Sequence, residues 1–189
     1  MDTKLRIRRD DCVLLIIDVQ DRLIDTIFQN KELVQNIKAL IKTARILDIP
    51  VLVTEQEKLG VTVGELENVL AGFPKVRKLE FSGCGNPEFI NNLEKSGKKT
   101  VVACGIEAHI CVLQTVLDLI DRGYRAFVPV DAVSAYATYD KETAINRMTK
   151  AGAVAATAET LIYEWLQKAG TDEFRKVLDI VKEKRAIST

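Results

Sequence analysis

Short runs of β-branched and aliphatic residues recur along this chain, and between them lie longer stretches whose apolar positions repeat at helical spacing. The short runs are Cys12 to Ile17, Val51 to Thr54, Val76 to Leu79, Thr100 to Cys104, Arg125 to Val130 and Ala153 to Thr157. Several are apolar at consecutive positions, the pattern of strands covered on both faces rather than on one. Between the first two, Leu33, Ile37, Leu40, Ile41, Ala44 and Leu47 make one helical stripe. A second stripe follows Cys111, with Leu113, Val116, Leu117 and Ile120 on one side, Asp118, Asp121 and Arg122 on the other, and Gly123 as its stop.

Capping signals place the remaining helices. Asn86-Pro87 ahead of Phe89, Ile90 and Leu93 reads as a capped start with proline in the first turn, and Ser96-Gly97 as the end. Tyr139-Asp140 opens a helix carrying Ala144, Ile145, Met148 and Ala151, ended by Gly152. Leu161, Ile162, Trp165 and Leu166 make a helix closed by Gly170. Thr171 caps a last one, with Asp172 and Glu173 in its first turn and Lys182, Lys184 and Arg185 at its end, as the helix dipole favours. Strand and helix in strict alternation predict a three-layer α/β/α sandwich around a mostly parallel six-stranded sheet with right-handed crossovers. Ligands of such sheets bind beyond the carboxyl ends of the strands.

Composition narrows the partners. The 189 residues are expected to form one domain spanning 1–189, with 47% hydrophobic and 29% charged residues, ordinary values for a globular chain. Lys plus Arg and Asp plus Glu both number 27, so no net charge draws the chain to nucleic acid or a membrane surface, and a small molecule is the expected partner. The charged opening Met1 to Arg9 is followed by an apolar run that ends at Asp18, shorter than an export signal needs, which predicts a cytoplasmic protein. In a reducing compartment Cys12, Cys84, Cys104 and Cys111 are expected as free thiols. The lone His109 and the absence of a Cys-x-x-Cys pair leave zinc no usual ligand set, so neither metal nor cofactor is expected.

Three residues at strand ends carry the candidate chemistry. Cys111 lies at the mouth of a helix, just after the fourth run, in Gly105-Ile106-Glu107-Ala108-His109-Ile110-Cys111-Val112. A positive helix end favours the thiolate there, although free cysteine also serves widely as a small buried hydrophobe. Asp18 ends Leu14-Leu15-Ile16-Ile17-Asp18, where it is lifted to the sheet rim or serves as a turn residue. Lys78 closes Val76-Arg77-Lys78-Leu79, where it joins the site or is a solvated charge on an edge strand. His109, two residues before Cys111 on a tight turn, cannot readily present its ring to the sulfur and reads as a lining or capping residue. A dinucleotide-binding turn would need glycines after the first run, and Asp18-Val19-Gln20-Asp21 has none.

Taken together, these stretches resemble the isochorismatase-like cysteine hydrolases, which include nicotinamidases and carbamoylsarcosine amidohydrolases. The resemblance runs from Asp10 to about Thr160 and rests on Leu15-Ile16-Ile17-Asp18-Val19-Gln20, Lys78 before Phe81-Ser82, and the Gly105 to Val112 stretch. Asp131-Ala132-Val133-Ser134 and Met148-Thr149-Lys150-Ala151-Gly152-Ala153 also look like the family's later blocks. It implies a Rossmann-like strand order 3-2-1-4-5-6, a nucleophile at Cys111, a proton carrier at Asp18 and a charge-holding lysine at Lys78. It further implies a cis peptide between Ile106 and Glu107, an oxyanion hole formed by the N–H groups of Glu107 and Cys111, and assembly into a homo-oligomer.

Nicotinamidases hold a metal with an Asp-x-His element and a further histidine after the second strand, whereas this chain reads Val53-Thr54-Glu55-Gln56-Glu57-Lys58-Leu59-Gly60. Glu55 and Glu57 are read as solvated, which leaves no metal, and the stretch looks like the isochorismatase-domain branch. True isochorismatases cleave a vinyl ether without relying on a cysteine, so Cys111 points to hydrolysis of a small amide or related C–N substrate. Vinyl ether hydrolysis and a vestigial site on an interaction module stand as alternatives. Phe28, Leu59, Phe81 and Tyr136 are candidate walls of a substrate pocket, with Gln20 and Gln56 as polar contacts. Trp165, Leu166 and the last helix offer apolar surface to a partner subunit or to the chain's own core.

Overall fold

Six strands form one parallel sheet in the computed structural model, which describes residues 6–187; Met1 to Leu5, the start of the charged opening, lie outside the described residues. The strands are β1 (Cys12–Ile17), β2 (Val51–Gln56), β3 (Lys75–Lys78), β4 (Thr100–Gly105), β5 (Arg125–Pro129) and β6 (Val154–Ala156). Their order is β3-β2-β1-β4-β5-β6, and every neighbouring pair is parallel. The central pair, β1 and β4, is buried at every position, as expected of strands with helices on both faces.

The helices are α1 (Asp21–Ile24), α2 (Asn30–Ile46), α3 (Gly64–Leu70), α4 (Pro87–Lys95), α5 (Leu113–Asp121), α6 (Thr138–Lys150), α7 (Ala158–Leu166) and α8 (Asp172–Ile187). α2 packs against α3, α7 and α8, while α5 packs against α6. The α2 stripe of Leu33, Ile37, Leu40, Ile41 and Ala44 is buried, each large side chain contributing roughly 1.5–3 kcal/mol. The Asn86 side chain accepts from the N–H groups of Glu88 and Phe89 and caps α4, and the Thr171 hydroxyl accepts from Phe174 at the start of α8.

The differences from the sequence pattern are local. β2 runs on to Gln56, because Glu55 and Gln56 find partners at the rim that a hydropathy pattern does not reveal. α1 and α3 are too short for a periodic signal, α3 burying only Leu66 and Leu70. α7 ends at Leu166, not at Gly170, with Gln167 taking the left-handed conformation at φ 62°. Trp165 is fully buried and Leu166 nearly so, which assigns this apolar surface to the chain's own core instead of a partner subunit. Among the described residues no helix is long and apolar enough to cross a membrane.

Candidate active site

The strand order reverses between β1 and β4, and that crevice is where the three strand-end residues meet. The chain leaves β1 through Asp18 at φ 53°, a left-handed conformation that aspartate tolerates better than most residues. The buried Asp18 carboxylate is held at both oxygens: Thr54 Oγ1 donates to Oδ1 at 2.7 Å and Lys78 Nζ to Oδ2 at 2.6 Å. Lys78 belongs to β3, two strands from β1 and hence about 10 Å away, a gap its long stem crosses over the end of β2. Nζ also donates to Gln56 Oε1 at 2.8 Å and to the carbonyls of Glu80 and Phe81, both at 3.1 Å. Lys78 is therefore not a solvated edge charge. Its side chain is 0% exposed, and this cage of oxygens offsets the desolvation that an unpartnered ammonium would suffer.

On the other side of the crevice, β4 ends at Gly105, whose φ is 128° and where a Cβ would stand 2.0 Å from the carbonyl oxygen of Ile17. Only glycine permits β1 and β4 to meet this closely before the chain turns. The Ile106–Glu107 peptide bond is cis, and Ala108–Val112 form a wide π-type turn leading into α5. Cys111 is therefore inside that turn rather than at the first residue of a regular helix. The segment after β5 clasps it: Gly105 N–H donates to Ala132 O, Ala108 N–H to Ser134 O, and Tyr136 N–H to Glu107 Oε2.

Cys111 is 6% exposed. Burial pushes its thiol up to about 12, Asp18 adds to the rise and Lys78 opposes it. Desolvation and the neighbouring carboxylate both favour the thiol here, against the thiolate that a helix end alone would favour. The other three cysteines are also free, buried and raised by burial, yet only Cys111 has both Asp18 and Lys78 acting on its thiol.

Gln20 and Gln56, expected as substrate contacts, spend their amides on the protein. Gln20 Oε1 accepts from Gln56 N–H, and its Nε2 donates to the carbonyls of Gln56 and Gly60. Gln56 gives Oε1 to Lys78 and donates from Nε2 to Leu79 O. Phe28, Phe81 and Tyr136 are exposed on loops at the strand-end rim, and Leu59 is half-buried. Phe28 is pinned to the clasp, its N–H donating to Ala135 O and its carbonyl accepting from Ser134 Oγ. His109 lies 4.0 Å from Asp140 through Nε2. Two surface cavities, of about 510 and 750 Å³, are lined by Asp21, Ile24 and Val63 in one case and by Glu55, Val61 and Lys75 in the other, and neither is lined by Asp18, Lys78 or Cys111.

Glu55 is buried and bound within the chain, accepting from the Thr62 N–H and hydroxyl with Lys75 at 3.5 Å, so it is not the solvated carboxylate expected. The exposed Glu57 fits that description. Thr54 is the functional neighbour that sequence reasoning left without a role. The available signal was its spacing: residues 54 and 56 share one face at the end of β2.

Residues 12–160 match the family described as isochorismatase domain. The chain belongs to that family. A secreted isochorismatase effector, Isc1, of Phytophthora sojae is 36% identical over 90% of this chain and 84% of its own length. Isochorismatase domain-containing protein 2A of Mus musculus is 36% identical over 94% of this chain and 86% of its own. Among solved structures, the MAR1 ribonuclease of Caenorhabditis elegans superposes with a TM-score of 0.88 at 37% identity, covering 94% of this chain and 92% of that one. Isochorismatase-family membership brings with it the hydrolase fold, whose six-stranded parallel sheet carries the crevice described above.

Proposed function

We propose that this isochorismatase-family chain is a metal-independent cysteine hydrolase acting on a small amide or related C–N substrate. One observation carries the reading: a buried carboxylate, locked by an ammonium and a hydroxyl, stands at the strand-end crevice into which the turn after β4 brings Cys111. Asp18 accepts the thiol proton as the Cys111 sulfur forms a bond to the substrate carbonyl carbon, and the displaced electron pair moves to the carbonyl oxygen. The backbone N–H groups of Glu107 and Cys111 stabilise that oxyanion. As the C–N bond breaks, Asp18 returns the proton to the leaving nitrogen, leaving a thioester on Cys111. Asp18 then takes a proton from water, the hydroxide attacks the thioester, and the acid departs as the thiol is restored.

Lys78 is a fixed positive charge in this scheme, since its caged Nζ balances charge on oxygen and sulfur in turn. Glu55, the candidate cation ligand after the second strand, is already held by Thr62 and Lys75, which supports a reaction that runs on the chain's own side chains. The burial of Cys111, only 6% exposed, favours a second reading, in which the site is vestigial and the chain is an interaction module. Turnover assays separate the two. Native protein and the Cys111→Ala variant are tested on small amides, ureas and imides, with a short RNA as comparator because the similar Caenorhabditis elegans protein is named a ribonuclease. Hydrolysis of a C–N substrate that falls by about 10,000-fold in the variant supports the proposal. Full turnover by the variant overturns it, and turnover of nothing in the panel favours the module.

A further inference from the structure

The Asp18 carboxylate is pinned at both ends, and its second partner comes from a strand that contributes none of the three groups of the proposed mechanism. Thr54 pairs in register with Ile17, so its hydroxyl meets Asp18 from the side, 2.7 Å from Oδ1, while Lys78 occupies Oδ2. We infer that Thr54 is a positioning residue, whose hydroxyl fixes the plane of the Asp18 carboxylate against Cys111 and biases the proton between them toward sulfur. The inference rests on the cysteine hydrolase reading.

Two consequences follow from that hydrogen bond. A carboxylate turns about its terminal torsion over a broad range, so a second anchor decides which lone pair faces the thiol. A donor to a carboxylate also stabilises its ionised form. Transfer of the Cys111 proton to Asp18 discharges that carboxylate and forfeits the stabilisation, so Thr54 favours the state in which sulfur keeps its proton. Thr54 and Lys78 therefore act in opposite senses on the sulfur: both hold the ionised carboxylate, but only the ammonium also stabilises the thiolate.

The test reads Cys111 alkylation by iodoacetamide against pH, resolved from the other three cysteines by mass spectrometry, so no substrate is needed. Thr54→Val keeps the side chain's shape and removes the donor. Cys111 of this variant is expected to alkylate about 3- to 10-fold faster at neutral pH, the change that one hydrogen bond makes in an equilibrium. Thr54→Ser, which keeps the hydroxyl, should return the profile to that of the native protein. If Thr54→Val does not fold by its thermal melt, Thr54→Ala serves with the same expected direction. A Thr54→Val profile that superimposes on the native one, or a Thr54→Ser profile that matches Thr54→Val, overturns the inference. Asp18→Asn is the control that separates the two levels. If its profile is displaced and that of Thr54→Val is not, only the role of Thr54 falls; if even Asp18→Asn leaves Cys111 unchanged, the hydrolase reading falls as well.

Discussion

Three consecutive residues at the end of β2 serve two buried carboxylates in contrasting ways. Thr54 and Gln56 face the crevice and hold the Asp18–Lys78 pair, while Glu55 points the other way, toward Thr62, Lys75 and Arg77. Both clusters pair a carboxylate with a lysine from β3. In the crevice the pair is 2.6 Å apart with both side chains essentially out of solvent; on the other face it is 3.5 Å apart with Lys75 25% exposed. The Glu55 cluster lacks a nucleophile and only ties the chain after β2 back to the strand. A buried carboxylate gains chemical meaning from a fixed cation and a thiol beside it, not from burial alone.

Substitutions on the two faces should separate these roles. Lys78→Met leaves Asp18 buried without its cation, and chemical denaturation is expected to show a loss of about 3–5 kcal/mol. The equivalent change on the other face, Lys75→Met, should cost under about 1 kcal/mol, because that lysine keeps contact with solvent. Equal losses would dissolve the distinction. Asp18→Asn keeps the shape of the crevice but removes the proposed base, so turnover of any identified C–N substrate should fall by about 100- to 10,000-fold while the protein stays folded. Glu55→Gln should leave turnover near native and lower stability by about 1–2 kcal/mol at neutral pH.

That last effect has a defined pH dependence. Burial alone would raise Glu55, but the two donors from Thr62 and the charge of Lys75 outweigh it and hold the carboxyl below its ordinary value of 4.5. Its contribution is therefore full above about 4.5 and is lost as the pH falls through the lowered folded-state value. Denaturation of native and Glu55→Gln proteins should show the gap at neutral pH and its closure in acid.

Most of the layered fold is legible along the chain because continuous apolar runs such as Leu14 to Ile17 and periodic stripes such as Leu33 to Ala44 carry hydrophobic signals strong enough to stand without tertiary context. Asp18, Lys78 and Cys111 are legible as strand-end residues of complementary chemistry. The polar scaffolding is not. Gln20 and Gln56 look like ligand contacts from sequence, because an amide that satisfies itself on distant backbone cannot be told from one left free until the chain is folded. The state of Cys111 is hidden for a related reason, since the desolvation that raises its thiol belongs to the packed crevice and not to the local turn.

The span of Lys78 across the end of β2 also bears on how the edge of the sheet finds its alignment. β3 is only four residues long, and its register places Lys78 beside Gln56. Sliding it by a single residue would turn Lys78 outward and point Arg77 or Leu79 at the crevice. With Leu79 inward Asp18 would be sealed in without a counter-charge, and with Arg77 inward a branched guanidinium would replace the compact ammonium among oxygens spaced for Lys78. The ion pair thus works as a proofreading contact: the edge strand locks only in the alignment that completes the crevice.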